Sequence, residues 1–320
     1  MGFRVGEILN MTKFAFFFPG QGSQSVGMMK GFEGLDVVRE TFKEASDTLS
    51  QDFWSIVTEP NELLNQTIHT QPLMLTAGTA VWRAWQAENG AQPAIMAGHS
   101  LGEYTALVAS GALAFKDALP LVRYRAQAMQ DAVAEGVGAM AAILGLDNED
   151  VHAVCTQAAQ GQVLEAVNLN SPGQIVIAGH REAVERGMQA ALEKGAKRAL
   201  PLSVSVPSHC ALMRPAAELL RVYLQNVSMK APTVPVIHNA DVEAHDSPEK
   251  IKDALVRQLH SPVRWIETVE HIYARGIVNS AECGPGKVLA GLVKRINPDF
   301  PCAALTSVEA LHEAKVQFAQ

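Results

Sequence analysis

Gly98-His99-Ser100-Leu101-Gly102 fits the pattern G-x-S-x-G. A serine hydroxyl is a weak nucleophile until a base activates it and a nearby group can hold the negative charge that develops. A sharp strand-to-helix turn meets the geometric half of that need, because it exposes Oγ at the sheet edge. The two glycines relieve crowding around such a strained turn. The Leu101 N–H would then lie at the helix start, where unpaired amides and the helix dipole favour an oxyanion. Gly20-Gln21-Gly22-Ser23-Gln24 is a second loop able to offer backbone N–H groups. Position 25 is serine, so the loop does not complete a G-x-G-x-x-G dinucleotide fingerprint. The Gln21 N–H suits the second oxyanion donor, which in hydrolase-like sites comes from a loop after an early strand.

The nucleophile needs a base, and ten histidines are available. His209, in Val206-Pro207-Ser208-His209-Cys210, follows a strand-like run at a proline-stiffened corner and suits the role best. On residue type alone His69, His238 and His260 stay open. His99 is bonded to Ser100 itself, so its ring points elsewhere. Arg123 and Arg125 are candidates for binding an anionic substrate group. Two apart on a helix they face different sides, so at most one shares a cleft with Ser100, and spacing does not choose between them.

These side chains require a scaffold. Residues 14–18 are a buried-strand run stopped by Pro19-Gly20, and 93–98 read as a short core strand leading into Ser100. Helices follow over 101 to about 110 and 116 to about 134, with helical periodicity also over 32–57 and 72–88. Strand followed by helix, repeated, predicts parallel pairing and an α/β fold. Between 136 and 206 the order changes to β-α-β-β-α-β. Strands are expected at 138–146, 163–169, 174–178 and 197–204, and helices at 147–160, with Asp147 as N-cap, and 181–194. Asn170-Ser171-Pro172-Gly173 is expected as the turn of the central hairpin. This is the ferredoxin-like unit. The expected organisation is therefore a large hydrolase-like domain with a parallel sheet over 11–135 and 207–320, and a small ferredoxin-like domain over 136–206. A late strand at 277–282 precedes Gly284-Pro285-Gly286 and a further helix. The ten residues before Met11 match no element and read as an extension, a tag remnant or a mis-chosen start.

Composition narrows the class. The chain has 320 residues, 48% of them apolar and 18% charged, which suits a folded chain with a large core. A net charge of −7 argues against nucleic acid as the main partner. Cys155, Cys210, Cys283 and Cys302 form no CxxC and read as reduced thiols of a cytoplasmic protein. The longest stretch free of Asp, Glu, Lys and Arg, 63–82, contains Asn65, Gln66, His69, Gln71 and Pro72 and is too polar to cross a bilayer.

Four strings occur in order: Phe18-Pro19-Gly20-Gln21-Gly22-Ser23-Gln24, Gly98-His99-Ser100-Leu101-Gly102-Glu103-Tyr104, Val206-Pro207-Ser208-His209-Cys210-Ala211-Leu212-Met213 and Glu282-Cys283-Gly284-Pro285-Gly286-Lys287-Val288-Leu289. In them the chain resembles the malonyl-CoA:acyl-carrier-protein transacylases of type II fatty acid synthesis, over about 12–310. The resemblance implies Ser100 as nucleophile, His209 as base and Arg125 as the clamp for the substrate's free carboxylate. It implies an oxyanion hole from Gln21 and the Leu101 backbone. It implies Gln258 as the residue whose carbonyl orients the imidazole, replacing the acid of a triad with a Ser–His dyad. Asn239 falls in an Asn-containing strand-end motif and is expected at the substrate. The implied partners are malonyl-CoA and holo acyl carrier protein, with no metal or redox cofactor and neither nucleic acid nor membrane. Carrier proteins of this pathway resemble one another in being strongly acidic, so docking on a chain of net −7 is expected at a local basic patch. Lys197, Arg198, Lys287, Lys294 and Arg295 are the candidates. A serine esterase with the same elbow remains the alternative, since Asp and Glu are plentiful between Ser100 and His209.

Overall fold

The computed structural model describes residues 13–204 and 206–319. The stretch read as an extension lies outside the described residues. The chain opens with β1 (Phe14–Phe18), followed by α1 (Asp36–Leu49), α2 (Phe53–Thr58) and α3 (Thr67–Ala87). Then come β2 (Ile95–Gly98), α4 (Gly102–Ala109) and α5 (Phe115–Asp131). The middle segment holds β3 (Gly138–Leu144), α6 (Asn148–Ala159), β4 (Leu164–Ser171), β5 (Gln174–His180), α7 (Arg181–Glu193) and β6 (Arg198–Pro201). After it come α8 (Arg214–Leu224), β7 (Val236–Ile237), α9 (Pro248–Gln258), α10 (Trp265–Ala274), β8 (Asn279–Glu282), α11 (Val288–Ile296), β9 (Cys302–Ala304) and α12 (Val308–Phe318).

The fold is α/β, with two sheets of opposite character. One is parallel throughout, in the order β7-β2-β1-β8-β9. Its central strand, β1, is buried on both faces. Phe14 and Phe16 meet Trp85 on one side, while Phe17 meets Trp265 and Phe300 on the other. Aromatic residues at every position but one suit a strand covered by helices on both faces. The second sheet is antiparallel, in the order β4-β5-β3-β6. With α6 and α7 on one face it is the ferredoxin-like unit, inserted between α5 and α8. Its other face, with Met140, Val176 and Ala178, packs on Cys210. Asp147 caps α6 as expected, accepting the Asp150 N–H at 2.8 Å.

Some boundaries differ from the sequence reading. β4 runs on to Ser171, which pairs with Gln174, so the hairpin turn shrinks to Pro172-Gly173. Asn170 stays in the strand because its amide has a partner across the cleft, described below. The edge strand β6 is only four residues long: the Leu202 N–H still reaches the Met140 carbonyl, and beyond it the chain leaves β3 to line that cleft. α3 starts five residues before Pro72, which forfeits a single early amide bond, and this brings Gln71 into the helix.

Candidate active site

β2 ends at Gly98 and α4 begins at Gly102, with Ser100 between them at φ 51°. A left-handed conformation costs a non-glycine residue about 1–2 kcal/mol, so the surroundings must hold it. They do so through Asn239. Its Oδ1 accepts the Ser100 N–H at 2.7 Å, and its Nδ2 donates to the Gly98 carbonyl at 2.7 Å. The motif glycines are dictated by contact. A Cβ on Gly98 would lie 1.9 Å from the Gly102 carbonyl carbon, and one on Gly102 would lie 1.9 Å from the Phe18 carbonyl oxygen. The elbow thus sits directly on the end of β1.

His209 follows the middle segment, also at positive φ, 66°, and is 2% exposed. Its Nε2 lies 2.8 Å from Ser100 Oγ and its Nδ1 2.7 Å from the Gln258 carbonyl oxygen. A carbonyl only accepts, so Nδ1 carries the hydrogen and the Nε2 lone pair faces the serine hydroxyl. Burial, and next the Arg125 charge, push the imidazole down to about 3, against the Gln258 bond that favours protonation. The ring is therefore neutral near pH 7 and able to accept a proton. Its partner is a main-chain carbonyl, where the esterase alternative calls for an acid. The other histidines are engaged elsewhere. His69 meets Gln51, His238 meets Glu103, and His260 faces Arg214, Glu218 and Arg221. His99 lines the same cavity as Ser100 and bonds through Nε2 to Asn170 Oδ1 at 2.8 Å.

Arg125 is 1% exposed beside this pair. Nη1 donates to Gln71 Oε1 at 2.7 Å, and Nη2 donates to Gln258 Oε1 at 2.9 Å and to Ser100 Oγ at 3.2 Å. The guanidinium lies over the Tyr104 ring. Among the described residues it forms no ion pair, and burial pulls it below the usual arginine value, partly offset by Tyr104 and Glu103. Arg123 points away, to the Leu49 carbonyl and Gln51. Helix phase thus settles which arginine faces Ser100.

A cavity of about 460 Å³ lies between the two sheets, with Gln21, Ser100 and Leu101 on one side and Met140, Asn168 and Leu202 on the other. The Gln21 loop is pressed against the elbow: a Cβ on Gly20 would lie 2.4 Å from the His99 carbonyl oxygen and 3.6 Å from the Leu101 nitrogen. The N–H groups of Gln21 and Leu101 donate to no described residue. The Gln21 side chain is held by Thr67 Oγ1 at 2.9 Å.

The structure therefore brings Ser100, His209, Arg125, Gln21, Leu101 and Gln258 together. Asn239 is placed differently from its expected substrate contact. It is fully buried under the elbow, with its Oδ1 held by the Ser100 N–H and its Nδ2 by the Gly98 carbonyl, and it does not line the cavity. Three further residues join the site that sequence reasoning did not single out: Gln71, Glu103 and Asn170. Glu103 carried a signal, being the only charged residue in an otherwise mostly apolar helical stretch, whereas Gln71 lies among Gln66, His69 and Thr70 and carried none. Asn170 carried none, because turn residues are ordinarily polar.

Residues 15–315 match the acyl transferase domain family. The malonyl CoA-acyl carrier protein transacylase of Salmonella typhimurium is 54% identical over 309 residues, 96% of this chain and 100% of that one. The Bacillus subtilis protein of the same name is 45% identical over 307 residues, 95% of this chain and 96% of that one. Among solved structures, an acyl-carrier-protein S-malonyltransferase from Burkholderia pseudomallei is 57% identical with a TM-score of 0.94, covering 95% of this chain and 100% of its own. A malonyl-transacylase in complex with its type II PKS acyl-carrier protein is 52% identical with a TM-score of 0.94, covering 96% and 100%.

Proposed function

The chain belongs to the acyl transferase family, and from that membership we propose that Ser100, His209 and Arg125 are the working residues of a malonyl-CoA:acyl-carrier-protein transacylase. The enzyme transfers a malonyl group from malonyl-CoA to the phosphopantetheine thiol of acyl carrier protein. The observation that carries the assignment of residues is the convergence of His209 Nε2 and Arg125 Nη2 on one hydroxyl, at 2.8 and 3.2 Å from Ser100 Oγ.

Ser100 Oγ attacks the thioester carbon as its proton passes to His209 Nε2. The oxyanion is received by the N–H groups of Gln21 and Leu101, which are unspent in the resting site. The C–S bond then breaks, the imidazolium protonates the departing CoA sulfur, and malonate is left as an ester on Ser100. In the second half, the carrier's thiol gives its proton to His209 and attacks that ester, and Ser100 recovers its hydrogen. The Gln258 carbonyl accepts the Nδ1 hydrogen throughout, so Nε2 is the atom that takes and returns the proton. A buried guanidinium without an anion is costly, and the free carboxylate of a malonyl group supplies the missing anion through charge-assisted bonds. Asn239 holds the elbow in its left-handed turn.

The small ferredoxin-like unit is taken as a domain over 136–206, the rest of 11–320 forming the large one. Support comes from an apolar core beneath α6 and α7 built mainly from this segment, with Ile266 of α10 and Ile296 of α11 closing it from the large unit. A cytoplasmic location goes with this reading. Among the described residues no helix is long and apolar enough to cross a membrane, and all four cysteines are unpaired, as in a reducing compartment.

Mass spectrometry of the intact protein after mixing with malonyl-CoA tests the assignment. One malonyl group on Ser100, absent from Ser100→Ala, is expected. Label on another residue, or release of free malonate without carrier protein at the rate of transfer, would count against it.

A further inference from the structure

Beneath the elbow lies a buried acid that the transfer steps do not use. Glu103 stands in the first turn of α4, is the only charged residue of that helix and is fully buried. Its Oε1 accepts from His238 Nδ1 at 2.7 Å, and its Oε2 accepts from the Asn239 N–H and from Gln258 Nε2, both at 2.9 Å. Donors on both oxygens call for a carboxylate that only accepts. They arrive from two places distant in sequence, the end of β7 and the last residue of α9.

Each group so held touches the site at one remove. Asn239 accepts the Ser100 N–H. Gln258 takes the His209 Nδ1 hydrogen on its main-chain oxygen, donates its other Nε2 hydrogen to the Ser100 carbonyl at 2.9 Å, and offers Oε1 to Arg125. A side-chain amide has two orientations that exchange oxygen and nitrogen, and its neighbours decide between them. With both N–H groups spent on Glu103 and the Ser100 carbonyl, the oxygen is left for Arg125. The reverse orientation would set an NH₂ against a guanidinium that only donates, and an oxygen against a carboxylate that only accepts. Both contacts are buried, where unsatisfied polar groups are costly.

We propose that Glu103 is a positioning residue for substrate selection: its carboxylate fixes the amide orientation of Gln258 and thereby aims the Arg125 guanidinium at the acyl pocket. His238 supplies the third donor and holds the carboxylate in place. The inference rests on the reading of Ser100, His209 and Arg125 given above.

The test compares kcat/KM for malonyl-CoA and acetyl-CoA in the native chain and in Glu103→Gln, with the folded fraction followed by thermal melting. Glutamine has one accepting oxygen, and its NH₂ meets donors, so the Gln258 amide loses its bias. The malonyl-to-acetyl ratio should fall tenfold or more, about the discrimination one hydrogen bond to a charged group provides. A packing role would lower both substrates in proportion to the folded fraction and leave the ratio unchanged, which would overturn the proposal. Should Glu103→Gln fail to fold, His238→Asn and His238→Leu carry the test. Asparagine keeps a donor near the place of Nδ1 and should hold the native ratio, whereas leucine removes it and should lower the ratio. Equal ratios in the two would again overturn the role of Glu103. The native chain separates the two levels: no malonyl label on Ser100 there sinks the dyad reading and this inference with it, while a labelled native chain with unmoved ratios in the variants removes Glu103 alone.

Discussion

Arg125 and His209 act on each other before any substrate arrives. The guanidinium is the second cause, after burial, of the low affinity of His209 for a proton. In the proposed mechanism a carboxylate paired with Arg125 would offset that charge, so His209 would become the stronger base when the matching acyl group binds. Removing Arg125 should lower kcat/KM for malonyl transfer by roughly 10- to 150-fold, the range for a hydrogen bond to a charged group. Acetyl transfer should hold or rise, because the native site presents acetyl-CoA with an unpaired cation. A parallel loss for both substrates would mark Arg125 as a structural residue. The pH profile follows from the same pair. With the folded value near 3 against about 6.5 for free imidazole, kcat/KM for acylation should stay level as pH falls through 6.5. An inflection at 6.5 would mean a solvated base. Arg125→Ala should move the acid limb upward, measured with acetyl-CoA. For stability the sign is equally definite: below pH 6.5 the unfolded chain takes up the proton first, so this ring's contribution is complete above 6.5 and is lost as pH falls toward 3.

At the scale of elements, the catalytic turn is a matter of clearance. β1, β2 and α4 meet so closely that positions 98 and 102 have no room for a methyl group, and Gly20 is pressed against the His99 carbonyl. Such contacts fix the height of Ser100 above the sheet and the distance to the Gln21 loop. Gly102→Ala must push α4 from the Phe18 carbonyl. Overpacking of this kind costs about 1–3 kcal/mol, readable by urea unfolding. Displacing the nucleophile should also slow malonyl labelling by roughly 10²-fold, as misplacement near 1 Å does. Native stability together with native labelling would show that elbow and strand separate freely.

For the molecule as a whole, the site exists because the two sheets face each other across it. His99 on the parallel-sheet side bonds Asn170 on β4 at 2.8 Å, linking the walls next to Ser100. The same juxtaposition gathers positive charge on a chain of net −7. Leu144 of β3 pairs with Gln174 on one side and Arg198 on the other, and Arg295 from α11 donates to Gln174. Lys197, Arg198, Lys294 and Arg295 are exposed around this end of the antiparallel sheet, while Lys287 stands at the opposite end of α11. Reversing Lys197, Arg198 and Lys294 to glutamate should raise the apparent KM for carrier protein and weaken its salt dependence. Malonylation of Ser100 by malonyl-CoA should stay near native. Equal loss in both half-reactions would assign the patch to CoA phosphates or to the fold.

What the sequence determined by itself is local. The buried run at 14–18, the cap at Asp147, the β-α-β-β-α-β order and the Gly98–Gly102 elbow depend on residues a few positions apart, whose spacing sets periodicity and turn geometry. Physics at that range left two arginines and four histidines open, and resemblance chose among them where spacing did not. The tertiary structure decided what depends on distant partners. Ser100 meets His209 across 109 residues, Arg125 meets Gln258 across 133, and Asn239 meets the Gly98 carbonyl across 141. An amide or a buried acid has no function legible in its own neighbourhood, because its role is set by the donors and acceptors placed around it. Asn239 therefore moved from an expected substrate contact to the floor of the elbow, Glu103 took its role from donors at the end of β7 and the end of α9, and Gln71 took its role from Arg125 on α5.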